Sequence, residues 1–234
     1  MKRIKIVVVI LLIVCASGLF EWARRVGNER EWDALNQKVT ALYREGKDDR
    51  AVIISQKALE LAEQNLGPDH PAVATSLNNL AELYRTRGNY ATAESLYQRS
   101  LAIWEKALGP DHPTVALSLN NLAGVYYTQG DYARAEPLYQ RSLAIREKAL
   151  GPDHPTVALS LNNLAELYKT QGDYARAEPL YQRALAIREK ALGPDHPTVA
   201  ASLENLAVLY RATKRIGEAE KLEQRAGRIR AMKR

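Results

Sequence analysis

The chain has 234 residues, 46% of them hydrophobic and 26% charged, with 13 Gly, 10 Pro and a single cysteine, Cys15. One cysteine excludes an intramolecular disulfide and a zinc site built from cysteines. The formal net charge of +6 sits at the two ends, and residues 17–213 carry −2, so no basic stripe runs along the body of the chain to hold nucleic acid.

In chain order, Met1 to Lys5 is positively charged, Ile6 to Val14 is an unbroken aliphatic run, and Cys15, Ala16, Ser17 and Gly18 are small. That is the order of a secretory signal, with cleavage after Ala16. An uncleaved anchor also fits. Ile6 to Phe20 is 15 residues, short of the roughly 20 that span a bilayer comfortably, and Ile4 and Trp22 extend it. Leu12-Ile13-Val14-Cys15 is similar to a lipobox, with Val14 where such signals use Gly, Ala or Ser, so lipidation of Cys15 is a third reading. The basic flank keeps the N-terminus inside and exports the rest. Residues 1–20 are therefore expected to be a signal peptide or membrane anchor and 21–31 a linker. The remainder is expected to be periplasmic or otherwise extracytoplasmic, soluble after cleavage or held by one N-terminal helix.

Beyond the linker one block recurs. Leu-Gly-Pro-Asp-His-Pro begins at Leu66, Leu108, Leu150 and Leu192, a step of 42 residues, and 109–150 matches 151–192 at 38 of 42 positions. A period of this length marks stacked supersecondary units. Within the block that begins at Gly151, Leu161, Leu164, Ala165 and Tyr168 fall at the spacing of an amphipathic helix, expected over Pro155 to Gln171. Gly172-Asp173 breaks it. A second helix follows from Tyr174 to Leu192, with Ala177, Tyr181, Ala184, Leu185 and Ile187 on one face, and Gly193-Pro194 ends it. Pro197 suits the first turn of the next helix. The fold class is all-α: about five helix hairpins stacked as a right-handed solenoid. The units are a degenerate first repeat at 32–66, regular repeats at 67–108, 109–150 and 151–192, and a degenerate capping repeat at 193–231. Residues 232–234 end a basic tail.

Leu161, Leu164, Ala165, Tyr168, Gly172, Tyr174, Ala177, Tyr181 and Ala184 resemble the tetratricopeptide repeat (TPR). The 42-residue period, with its LGPDHP connectors and LNNLAELY helices, is similar to the kinesin-light-chain type. The same pattern recurs at Leu77, Leu80, Ala81 and Tyr84 and at Leu119, Leu122, Ala123 and Tyr126. The last unit departs from it, with Lys214 in place of Gly and Glu223 in place of Tyr, as for a helix facing solvent. The export-type N-terminus and the lack of a long heptad segment separate the chain from true kinesin light chains, so motor function is not implied. Pro137 and Pro179, inside second helices, are expected to bend them slightly.

His70, His112, His154 and His196 lie one per connector, each between Asp and Pro. Successive copies stand too far apart to share one metal ion; the Asp or the His of each connector is expected to cap the next helix, with the His packed locally. No phosphate loop, zinc-protease motif or nucleophile constellation is present, so a non-enzymatic protein is expected, with no cofactor, no metal and no small-molecule substrate.

With the packing positions of each first helix numbered 4, 7, 8 and 11, positions 2, 5, 6, 9, 12 and 13 form an adjoining face at 100° per residue. The resemblance implies that this face lines a concave peptide groove. Position 5 holds Asn78, Asn120, Asn162 and Glu204, and position 6 holds Asn79, Asn121, Asn163 and Asn205. An Asn side chain both donates and accepts, so a ladder of them suits the backbone of an extended peptide; bonding between adjacent helices is the alternative use. Positions 9 and 12 vary: Glu82, Gly124, Glu166 and Val208, then Arg85, Tyr127, Lys169 and Arg211. The two nearly identical blocks differ at Gly124/Glu166 and Tyr127/Lys169, both in this face. No cluster of Lys and Arg suits a clamp for a C-terminal carboxylate. The expected function is a protein–protein interaction scaffold that binds an extended peptide or partner subunit in this groove. The alternative is a structural spacer or self-associating protein of an envelope complex, using Trp104 or the basic tail.

Overall fold

The computed structural model describes residues 27–232, all helices and short turns, with no strand among them. Helix α1 occupies residues 27–44. It is followed by α2 (Asp48–Leu66), α3 (Pro71–Thr86), α4 (Tyr90–Leu108), α5 (Pro113–Thr128), α6 (Tyr132–Leu150), α7 (Pro155–Thr170), α8 (Tyr174–Leu192), α9 (Pro197–Ala212) and α10 (Ile216–Ala231). The expected signal or anchor lies outside the described residues. Among the described residues no helix is long and apolar enough to cross a membrane. Residues 27–31, expected in a linker, belong to α1, so the first hairpin begins before Trp32.

Each hairpin is built from the same local signals. In every hairpin but the last, whose turn carries Lys214, the first helix ends with glycine in the left-handed region, as at Gly130 (φ 78°) and Gly172 (φ 81°). The following amide then reaches back, Asp173 N–H to the Tyr168 carbonyl at 2.9 Å, which satisfies helix-end carbonyls in the Schellman manner. Asp131 and Asp173 then cap α6 and α8 by accepting from the amides of Arg134 and Arg176. At each connector the histidine, not the aspartate, is the cap: His70, His112, His154 and His196 accept through Nδ1 from the amide two residues on, with Pro at the next position. The adjoining Asp69, Asp111 and Asp153 instead pair with Lys106, Lys148 and Lys190 on the second helices. Pro137 and Pro179 sit inside uninterrupted helices.

The chain divides into two compact units, residues 1–107 and 108–234. The described part of the first holds the hairpins α1–α2 and α3–α4. Val39, Leu42, Ala51, Val52, Leu80 and Leu83 form one core cluster there, and Ala62, Ala72, Val73, Ala74, Leu77 and Ile103 another. Trp104 packs on the second cluster. The second unit holds α5–α6, α7–α8 and α9–α10. Its clusters repeat a theme: Val157, Ala158 and Leu161 against Ala184 and Ile187, then Val199, Ala200 and Leu203 against Ala226 and Ile229. Polar rungs join successive hairpins. Glu136 accepts from Tyr168 and Arg176, and Glu178 from Tyr210 and Arg215. Glu147 pairs with Arg183, and Glu189 with Arg225.

Candidate functional site

The numbered face is found on α3 in the first unit and on α5, α7 and α9 in the second. Its asparagines are half-buried. Asn163 Nδ2 donates to Asn120 Oδ1 at 2.8 Å, and Asn205 Nδ2 to Asn162 Oδ1 at 2.8 Å. In the first unit Asn79 donates to Asn36 at 3.1 Å. The position-6 amide of one hairpin is thus bonded to the position-5 amide of the hairpin before it. Each such bond uses one of the several hydrogen-bonding capacities an Asn carries, so the ladder serves as an inter-repeat spine and keeps capacity for a ligand. Asn78 and Asn121 occupy the matching places on α3 and α5.

Positions 9 and 12 form ion pairs on their own helices: Glu82 with Arg85 at 2.5 Å and Glu166 with Lys169 at 2.7 Å. Each carboxylate also accepts a phenol from the second helix, Tyr97 to Glu82 at 2.7 Å and Tyr181 to Glu166 at 2.6 Å. Burial first, and then the neighbouring carboxylate, pushes the Tyr97 and Tyr181 hydroxyls far above the ordinary phenol range. The Arg85 guanidinium holds Glu82 below its usual value against the opposing effect of burial. In the last hairpin the pair is transposed: Glu223 stands at the tyrosine position of α10 and accepts both Nε and Nη2 of Arg211 at 2.6 Å. The Glu223 side chain stays 40% exposed beside Arg211, in keeping with the solvent-facing helix its sequence position suggests. At position 2, Leu117 and Leu159 are 47% and 44% exposed.

Two side chains stand out that the sequence reading did not select. Arg146 on α6 and Arg188 on α8 are 5% and 9% exposed. Arg146 Nη1 donates to Ser160 Oγ at 2.7 Å and to the Thr156 carbonyl at 3.4 Å; Arg188 Nη1 donates to Ser202 Oγ at 2.6 Å. Neither has a carboxylate within ion-pair distance among the described residues, and burial lowers the pKa of both guanidinium groups. One repeat earlier the position is Trp104, and in the last it is Arg230, which donates to Glu204 at position 5. The change from Trp104 to Arg146 and Arg188 at one register position was the available sequence signal for a buried site. Among the described residues no cluster of three or more His, Cys, Asp or Glu could hold a metal ion.

A tetratricopeptide repeat model matches residues 33–106, 73–148, 114–190 and 156–231. With the hairpins above, this places the chain in the tetratricopeptide repeat family. Its structure is similar to that of BtubC (BKLC) from P. vanneervenii, with a TM-score of 0.76 and 30% identity over 86% of this chain and 80% of that one. It is also similar to the kinesin-light-chain-like protein of Podosopora anserina with nearly identical TPR-like repeats, with a TM-score of 0.75 and 28% identity over 86% and 96% of the two chains. The repeats are thus of the kinesin-light-chain-like kind. Among curated proteins, Nephrocystin-3 of Xenopus laevis is 45% identical over 85 residues, which is 35% of this chain and only 6% of that protein. TPR repeats generally mediate protein–protein interaction, and that is the class to which the family assigns this chain.

Proposed function

We propose that the chain binds an extended, acidic segment of a partner protein along α5, α7 and α9. The observation that carries this reading is the pair Arg146 and Arg188. A buried cation without a counterion is costly, and a ligand carboxylate would compensate it. Arg230 shows the reach: from the same register position its guanidinium meets a carboxylate in the position-5 row. The remaining amide capacity of Asn120, Asn121, Asn162 and Asn163 supplies backbone contacts, and the exposed Leu117 and Leu159 supply apolar area. Lys169 and Arg211, each already paired with a carboxylate, set a mixed-charge rim. The basic, then apolar, N-terminus supports action on the exported side of a membrane. Self-association finds less support, since Trp104 packs on a core cluster and Arg225 and Arg230 are paired within the chain.

The test is fluorescence anisotropy of the full chain with a labelled dodecapeptide of alternating Asp and Ala, set against the Asn and Ala analogue. The acidic peptide is expected to bind at least ten-fold more tightly at low salt. Equal binding of the two contradicts the reading.

A further inference from the structure

We propose that the outward face of the first hairpin, α1–α2, docks an acidic amphipathic helix of a partner protein, at a site separate from the groove above. The second helices of later hairpins show what such a face receives. Residues at i, i+4, i+7 and i+11 lie on one side of a helix, and in α6 these are Glu136, Gln140, Leu143 and Glu147. All four engage the next hairpin. Glu136 accepts from Tyr168 and Arg176, and Gln140 donates to the Tyr168 hydroxyl at 3.0 Å. Leu143 packs on the cluster of α7 and α8, and Glu147 pairs with Arg183. In α8, Glu178, Gln182, Leu185 and Glu189 make the same contacts with Tyr210, Arg215, Arg225 and their cluster. In the first unit, Gln56 donates to the Tyr84 hydroxyl and Glu63 pairs with Arg99.

The receiving side of α1–α2 has no hairpin before it among the described residues. Arg50 stands there at the place of Arg176, and Lys57 at the place of Arg99, Arg183 and Arg225. Neither side chain has a hydrogen bond or ion pair among the described residues. Of the neighbouring acids, Glu45, which feels Arg50, pairs with Lys47, and Asp49 pairs with Arg87. Asp48 lies in the first turn of α2, where the helix dipole favours it. Lys38, Leu42, Arg50, Ile53 and Ile54 line a pit of about 110 Å³. Ile53 is 53% exposed; the later hairpins carry Ser95, Pro137, Pro179 and Lys221 at that place. An apolar pit beside two uncompensated cations fits a helix that presents Leu between two Glu. The chain's own last helix does not present that face. It keeps Glu220 and Gln224 but has Gly227 and Ala231 where Leu and Glu would stand, with Arg228 beside them. A second copy would therefore bring like charge towards Lys57.

The probe is a fluorescein-labelled, stapled helix with the sequence of residues 132–150, its staple placed away from the four residues of the docking face. Anisotropy is read on the full chain and on its variant Arg50→Glu/Lys57→Glu, whose exposed substitutions are checked by a circular dichroism melt. The wild type is expected to bind the probe roughly ten-fold more tightly than the variant. A probe carrying Glu136→Lys and Glu147→Lys is expected to invert that order, a reversal that a merely damaged fold would not give. The Asp and Ala dodecapeptide is expected not to displace the probe, whether or not it binds the groove. Equal binding by the two chains, or displacement by the dodecapeptide, overturns the site. Wild-type chains that sediment as oligomers and dissociate on the charge reversal would give the face to a second copy. Binding to phosphatidylglycerol vesicles that the same reversal abolishes, with no binding of the probe, would give it to lipid. Either result overturns the helix as occupant.

Discussion

Arg230 donates through Nε and Nη2 to the carboxylate of Glu204, at 2.6 and 2.5 Å, in the one hairpin where position 5 is acidic. At the two preceding copies position 5 is Asn120 or Asn162, and the matching Arg146 and Arg188 have only hydroxyl and carbonyl acceptors. The terminal repeat thus closes internally a contact that, on the function proposed above, a ligand would complete in the inner repeats.

A carboxylate installed at position 5 should compete with that ligand. Asn162→Glu gives Arg188 the partner that Glu204 gives Arg230, and it keeps an acceptor for Asn205. The acidic peptide is expected to bind about ten-fold more weakly, the equivalent of one charge-assisted contact of about 1.4 kcal/mol, with no fall in the thermal midpoint. Anisotropy and a circular dichroism melt read the two effects separately, and unchanged affinity argues against the arginines as anchors.

Lys214 adopts φ 62° at the turn where the other hairpins have Gly46, Gly88, Gly130 and Gly172. A side chain in the left-handed region costs about 1 kcal/mol, so Lys214→Gly is expected to raise stability by about that amount. Urea denaturation should show a higher midpoint with an unchanged slope. A lower midpoint would mean that the Lys214 side chain contributes more than its backbone strain costs.

The bond from Tyr181 to Glu166 at 2.6 Å joins the two helices of one hairpin, α7 and α8. Tyr181→Phe removes a donor from a carboxylate that retains Lys169, and should cost about 1–2 kcal/mol. In a double-mutant cycle with Glu166→Gln, a coupling near zero would show that the hydrogen bond contributes nothing.

Much of this fold is legible in the sequence because its punctuation is chemical. Gly172 and Gly193 end helices, Pro155 and Pro197 begin them, and the observed bounds Pro155–Thr170 and Tyr174–Leu192 differ from the pattern by one residue at most. The capping role of the connector histidines follows from the same local logic. The site was less legible, because its relationships cross between helices. The pairing of Asn163 with Asn120 depends on the lateral offset of two hairpins, which no periodicity encodes. Arg146 sits in the charged run Arg146-Glu147-Lys148, which reads as a solvated helix face. Only packing shows Arg146 to be buried while Lys148 is exposed. The transposition of the acid from α9 to Glu223 of α10 is likewise visible only once Arg211 is seen to follow it.

Stability should fall at both extremes of pH. Glu82, Glu204 and Glu223 lie below the ordinary carboxylate value, held there by Arg85, Arg230 and Arg211. Depressed folded-state values mean that this stability is complete above the unfolded value, about pH 4.5, and is lost as pH falls through the folded values. Tyr97 and Tyr181 are shifted upward, so their contribution is complete below about pH 10 and is lost as pH rises beyond it. Urea midpoints measured from acid to alkali should therefore show a plateau with two falling limbs. A flat profile between about pH 5 and pH 3 would contradict the ion-pair assignments.

The most direct measurement is the affinity of the acidic dodecapeptide for the full chain carrying Arg146→Met and Arg188→Met. Trp104 shows that the register position accepts a neutral side chain, and removal of a buried, unpaired charge is expected to leave the thermal midpoint equal or higher. If these arginines anchor a partner's carboxylates, affinity for the acidic peptide falls at least ten-fold and becomes nearly independent of salt, while the Asn analogue binds as before. Unchanged affinity in a folded double variant would contradict that role.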